Sequence, residues 1–242
     1  MNYFQNKVAL VTGAGRGIGR AVALALSERG ARVAFLSRNS KELESAANNL
    51  KGEVLVLPCD VSNESSVMTA FEKIDQNWGR IDILVNNAGF ISLEEIQFLT
   101  AENLDQTFGV NVRGAFLCAR EAMTRMKAQY TSDATQTFSI VNVSSLGGIR
   151  GNEKFKGMSA YVASKHAVVG LTEALAVEGR EFGARVNCVA PGAVDTQMLW
   201  TAVPYFKTNT KPEDLVGTFL YLCDPAMSAK VTGAVIEVHS NA

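Results

Sequence analysis

The chain has 242 residues, of which 47% are hydrophobic and 19% charged, and its formal net charge is −1. That length fits one large α/β domain with a substantial core, and the lack of any Lys/Arg run argues against nucleic acid or an anionic membrane as the partner. The polar start from Met1 to Lys7 has no signal-peptide pattern and no stretch reaches transmembrane length, so a cytoplasmic protein is expected. Cys59, Cys118, Cys188 and Cys223 are far apart and lie mostly in apolar runs, which reads as buried free thiols rather than disulfides or a zinc site.

In chain order, Val8-Ala9-Leu10-Val11 is an apolar run of the kind that a parallel strand buried on both faces requires. Thr12-Gly13-Ala14-Gly15-Arg16-Gly17-Ile18-Gly19 follows, and a helical apolar face then runs from Ile18 until Gly30. Strand, glycine-rich turn and helix in succession aim free N–H groups and a partial positive charge at an anion, and a pyrophosphate is the expected one. A second strand spans residues 32–37, a helix 40–50, a third strand 54–57, and a helix 63–78 carries Val67, Phe71, Ile74 and Trp78 on one face. Strand four, residues 81–85, ends in Asn86-Asn87-Ala88-Gly89. Thr100 caps a helix predicted to run to about residue 126 with a bend near Asn111. Strand five is 138–143, a long helix covers 159–182, strand six is 186–190 before Pro191-Gly192, a short helix lies at 212–222, and the last strand is 235–238. Right-handed crossovers between parallel strands place helices on both faces of one doubly wound sheet of about seven strands.

Ligands of such sheets lie beyond the carboxyl ends of the strands. Those ends here carry the glycine loop, Ser37-Arg38, Cys59-Asp60-Val61, Asn86 to Gly89, Ser144-Ser145 and Pro191-Gly192, and their convergence on one rim marks a site. A second constellation is Tyr161-Val-Ala-Ser-Lys165, whose spacing of four puts both side chains on one helix face. A phenol of ordinary pKa near 10 is a poor acid-base group at neutral pH, and an ammonium beside it would lower that value, so Lys165 is expected to activate Tyr161. Ser145 is placed to hydrogen-bond a substrate oxygen as it gains charge. His166 should point away from Lys165, His239 has no metal-ligand partners nearby, and no metal is assigned.

Thr12-Gly13-x-x-x-Gly17-x-Gly19, Asp60, Asn86-Asn87-Ala88-Gly89, Asn111, Ser145, Tyr161-x-x-x-Lys165 and Pro191-Gly192 with Thr196 together resemble the short-chain dehydrogenase/reductase family over essentially the whole chain. Within it the chain is similar to 3-oxoacyl and carbonyl reductases. The resemblance implies a single Rossmann-type domain with strand order 3-2-1-4-5-6-7. It implies cofactor contacts from Gly13, Arg16, Gly17, Ile18, Gly19, Ser37, Arg38, Asn87, Ala88, Gly89 and Val194, with Asp60 and Val61 bracketing the adenine and Asn86 helping to place the adenosine side. Pro191, Gly192 and Thr196 would contact the nicotinamide end, and Lys165 its ribose. Asn111 would hold a water in a proton relay to Lys165. The implied reaction is hydride transfer between a nicotinamide and a carbonyl or alcohol carbon, with Ser145, Tyr161, Lys165 and Asn111 catalytic and Tyr161 the acid or base.

Strand two ends in Ser37-Arg38 with no acid to repel a 2′-phosphate, and Arg16 adds a second guanidinium, so NADP(H) is the expected cofactor. The leading expectation is an NADPH-dependent ketone or 3-oxoacyl reductase acting on a small carbonyl compound. The alternatives are an NAD-dependent alcohol or sugar dehydrogenase and a non-catalytic redox sensor. Three stretches depart from the family pattern. The loop between Ser145 and Tyr161, with Glu153-Lys154-Phe155-Lys156-Gly157, is longer than is usual. The segment after Thr196 is short and apolar, and Met198 to Phe206, Trp200 included, are expected to form a mobile substrate cover. The chain ends Val238-His239-Ser240-Asn241-Ala242 where many relatives have Asp-Gly-Gly. The long helices at about 100–126 and 159–182 imply, by the same resemblance, a homotetramer with a dimer as fallback, and the apolar Leu171, Ala174, Leu175 and Val177 suit either such an interface or ordinary packing on the sheet.

Overall fold

A computed structural model describes residues 2–48, 50 and 52–240. Its centre is one parallel sheet of seven strands in the order β3-β2-β1-β4-β5-β6-β7. The strands are β1 Val8–Thr12, β2 Arg32–Ser37, β3 Val54–Pro58, β4 Ile83–Asn86, β5 Phe138–Val143, β6 Ala184–Pro191 and β7 Val235–Val238. Chain order reverses between β1 and β4, the point at which sheets of this kind leave a crevice for a ligand.

The helices are α1 Gly17–Glu28, α2 Ser40–Ala47, α3 Glu64–Trp78, α4 Ala101–Phe108, α5 Gly114–Ser132, α6 Ser159–Gly179, α7 Gln197–Ala202, α8 Val216–Cys223 and α9 Pro225–Ser228. Side chains alternate across a strand, so the apolar runs feed two cores at once. Val8 and Leu10 join Phe71, Ile74 and Met126 on one face, while Ala9 and Val11 join Val22, Leu26 and Phe219 on the other. All four cysteines are buried and free, as their apolar surroundings predict.

The helix expected over 40–50 stops at Ala47, and Asn49 lies outside the described residues. The helix expected to end near residue 126 continues to Ser132, because Thr131 and Ser132 side chains bond back to the Lys127 and Gln129 carbonyls and the last turn stays satisfied. The bend expected near Asn111 is a π turn, Gly109–Arg113, between α4 and α5. Such turns are rare, and in helices they concentrate at functional sites. The apolar cover contains α7, a helix that was not expected there. It is only six residues long, too short for its period to stand out in sequence, and the Thr196 side chain caps it by accepting from Leu199 N. Among the described residues no helix is long and apolar enough to cross a membrane.

Candidate active site

A cavity of about 1150 Å³ opens along the carboxyl ends of the strands. At its β1–β4 end, Thr12 Oγ1 accepts from both Asn87 N and Ala88 N at 2.9 Å, and Asn87 Nδ2 donates to Thr12 O at 2.9 Å. The glycine loop is thus tied to the end of β4. Gly13 and Gly17 have φ of +65° and +56°, conformations that side chains disfavour. Arg16 supplies no side-chain cap to α1, so the first amides of that helix keep their donors for a ligand. An uncapped helix N-terminus behind a left-handed glycine turn fits a pyrophosphate.

Around the rim the cavity is walled by Gly13, Arg16, Gly17, Ile18, Ser37, Arg38, Asp60, Val61, Asn87, Ala88, Gly89, Ser145, Pro191 and Gly192 from the strand ends, and by Tyr161, Lys165, Val194 and Thr196. Three residues take other places. Gly19 is buried against β1, where a β-carbon would meet Asn87 Nδ2 and the Gly13 carbonyl, so it allows close helix packing and does not line the cavity. Asn86 donates inward to Ala115 O at 3.1 Å and Asn142 Oδ1 at 2.9 Å, which braces β4 against β5 and α5 and leaves it no direct contact with the cavity. Asn111 lies behind Gly89: its Oδ1 accepts from Phe90 N at 2.7 Å, and its Nδ2 donates to Phe90 O and Ser164 Oγ, each at 2.9 Å. The π turn therefore clamps the loop that follows β4. Asn111 Oδ1 and Lys165 Nζ both lie 3.7 Å from the point where a Gly89 β-carbon would stand.

Ser145, Tyr161 and Lys165 meet at the centre of the cavity. Close approach of the loop after β5 to α6 sets this geometry: a β-carbon on Gly148 would lie 2.5 Å from Ser144 Oγ and 2.7 Å from the backbone of Lys165. Ser144 Oγ donates to Lys165 O at 2.8 Å, and Ser145 Oγ accepts from Gly147 N at 3.1 Å. Lys165 Nζ donates to Val143 O at 2.9 Å and sits 5.6 Å from the centre of the Tyr161 ring. It forms no ion pair among the described residues. His166 turns outward, its Nδ1 2.9 Å from Val162 O.

The expected lowering of the Tyr161 pKa by Lys165 is not what the structure produces. Burial pushes the phenol above its ordinary value while a hydrogen bond with Ser145 pulls the other way, and burial brings Lys165 down to about 8. Both side chains are enclosed, so each is driven toward its neutral form, and the ammonium is engaged by a carbonyl instead of the phenol.

At the apolar end of the cavity, the long loop is an anchored wall. Glu94 N donates to Gly157 O at 2.9 Å, Lys156 pairs with Glu95 at 2.7 Å, Asn152 Nδ2 donates to Glu237 Oε2 at 2.9 Å, and Phe155 lines the cavity. Met198, Leu199, Val203, Tyr205 and Phe206 line it from the segment expected to be a cover, and Ile91 and Leu93 line it as well. Trp200 does not. It is 56% exposed on the outer side of α7, its Nε1 donating to Asp195 Oδ1 at 2.7 Å, because the helical period turns position 200 away when 198 and 199 face in. At the C-terminus, Ser240 Oγ accepts from Ala193 N at 3.2 Å and reaches the cavity wall; Asn241 and Ala242 lie outside the described residues.

At the opposite end, Arg38 makes no hydrogen bond or ion pair among the described residues, whereas Arg16 is already engaged: its Nη1 lies 3.2 Å from Glu42 Oε1 and donates to Gln197 Oε1 at 2.7 Å. Glu42 was not legible as a site residue, because it is one polar position among several in a short helix. Thr12 likewise reads as part of the glycine motif without revealing that it ties β1 to β4.

This rim, glycine turn and Ser-Tyr-Lys cluster define a class that sequence comparison identifies directly: residues 7–204 match the short chain dehydrogenase model, and the chain belongs to that family. Its members use a nicotinamide cofactor. A Bos taurus 3-oxoacyl-[acyl-carrier-protein] reductase is 41% identical over 193 residues, covering 80% of this chain and 78% of that one. A 3beta-hydroxysteroid dehydrogenase of Mediterraneibacter gnavus is 37% identical over 213 residues, covering 86% and 74%. Among solved structures, the 3-ketoacyl-(acyl-carrier-protein) reductase of Brucella melitensis, complexed with NADH, superposes with a TM-score of 0.90 at 32% identity and 98% coverage of both chains.

Proposed function

We propose that this protein is an NADPH-dependent reductase of a ketone or 3-oxoacyl compound, with Tyr161 as general acid. The observation that carries this reading is the enclosed Tyr161 phenol beside Ser145 and Lys165 at the junction of the nucleotide and apolar ends of one cavity. A phenol held above its ordinary pKa is fully protonated at neutral pH and is ready to give a proton, which suits reduction. When bound, the nicotinamide supplies the hydride. Ser145 donates to the carbonyl oxygen as it becomes negative, Tyr161 transfers its proton to that oxygen, and Lys165 offsets the phenolate left behind. Asn111 acts as a positioning residue, clamping the Phe90 backbone next to Lys165. The apolar wall from Ile91 to Phe206 suits a substrate with a hydrophobic body.

NADPH is supported by Arg38, a guanidinium just past the end of β2 without a partner among the described residues, and by the absence of an acid at Ser37. A second reading, NAD-dependent alcohol oxidation, is favoured by the Glu42 carboxylate at the same end and by the NADH in the Brucella relative. Oxidation of NADPH and NADH with a panel of ketones, diketones and 3-oxoacyl thioesters separates them. NADPH turnover on one or more of these is expected; exclusive NADH use, or no turnover with either, would refute the proposal. Assembly as a cytoplasmic homotetramer, with a dimer as fallback, belongs to the same proposal. It is supported by the outward face of α6, where Ala174 and Val177 are exposed while Leu175 enters the core.

A further inference from the structure

Arg16 leads into α1 and Glu42 lies in the first turn of α2, yet the fold sets their side chains 3.2 Å apart on the wall of the main cavity. The second Glu42 oxygen, Oε2, lies 3.2 Å from the point where a Gly15 β-carbon would stand, and Ser37 Oγ lies 3.4 Å from that same point. A carboxylate therefore stands between the glycine loop and the end of β2, although the strand itself ends in serine. It enters from the helix. Ser37 Oγ accepts from Asn39 N at 3.2 Å, so its hydroxyl proton remains available to a second acceptor.

We propose that Glu42 determines specificity at the adenosine end of the cofactor, competing with a 2′-phosphate for the Arg16 guanidinium and so limiting the preference for the phosphorylated nucleotide. This rests on the reading of that end as the ribose and 2′-phosphate site. Two anions beside one guanidinium repel each other, and a neutral ligand at the same place meets no such opposition. The side chains of the pair are 55% and 33% exposed, so water screens the effect and holds it to roughly three- to tenfold in affinity. The arginine's other bond, to Gln197 at the start of α7, does not involve the carboxylate and survives its neutralisation.

Calorimetric titration of the whole protein with adenosine 2′,5′-bisphosphate and with adenosine 5′-monophosphate tests this without turnover. Glu42→Gln is expected to tighten the bisphosphate roughly three- to tenfold and to leave the monophosphate within about twofold, and the gain should shrink when Arg16→Ala is added. If Glu42 serves only the helix terminus, Glu42→Gln lowers Tm and leaves the ratio of the two affinities where it was, which overturns the inference. Parallel changes in both affinities overturn it as well. A wild type that favours the bisphosphate, with a ratio unmoved in Glu42→Gln, keeps the NADPH reading and removes this one. A wild type that binds both ligands equally, with a bisphosphate-specific gain in Glu42→Gln, removes the NADPH reading and keeps this one.

Discussion

Two regions of the cavity are built differently. At the centre, Ser145, Tyr161 and Lys165 stand on a loop and a helix whose backbones touch, and bonds from Ser144 to Lys165 O and from Lys165 to Val143 O lock them. At the outer end, Arg16 and Arg38 come from loops, Ser37 from the end of β2 and Glu42 from the first turn of α2, and the Arg16–Glu42 pair is open to water. Burial makes the pKa values of the first region sensitive to its surroundings; exposure makes the second adjustable by single charges. The contrast teaches that changes at the centre should alter the rate, while changes at the outer end should alter the choice of ligand.

The largest effect expected is on the buried side. Tyr161→Phe should lower kcat by at least about a hundredfold, the lower end for general acid catalysis, while cofactor affinity measured by titration stays within about twofold. Near-normal kcat in that variant removes Tyr161 from the chemistry and dissolves the contrast. At the exposed end, Arg38→Asp should move the ratio of kcat/KM for NADPH over NADH by roughly tenfold to more than a hundredfold toward NADH, one charged hydrogen bond being about 1.5–3 kcal/mol. An unchanged ratio breaks the assignment of that end.

The pH profile sharpens the comparison further. Lys165 is held at about 8, below its ordinary value, and is cationic only below that pH. Raising the pH through about 8 therefore removes the charge that offsets the phenolate, so reductive kcat should be level at lower pH and fall above it. A profile that stays flat to about pH 9.5 would separate Lys165 from the proton transfer. The smallest effects belong to the cover. Phe206→Ala should raise KM for a good substrate about two- to tenfold, whereas Trp200→Ala, outside the wall, should leave it within about twofold, as read by steady-state kinetics. The reverse ranking would show that α7 turns when substrate binds.

The seven strands, their parallel alternation with helices, and the rim of the candidate site were legible in the order of residues, because apolar runs between turn residues and a glycine loop are local signals. The same local signals put Tyr161 and Lys165 on one helix face and Arg38 directly after β2 with no acid beside it in sequence. Tertiary structure alone decided that Lys165 turns to the Val143 carbonyl, that burial raises Tyr161, that Asn86 braces two strands, that Trp200 faces outward and that Glu42 meets Arg16 across 26 positions. Each of these depends on which distant backbone or charge comes within a few ångströms after packing. A side chain's own sequence neighbourhood carries no record of that.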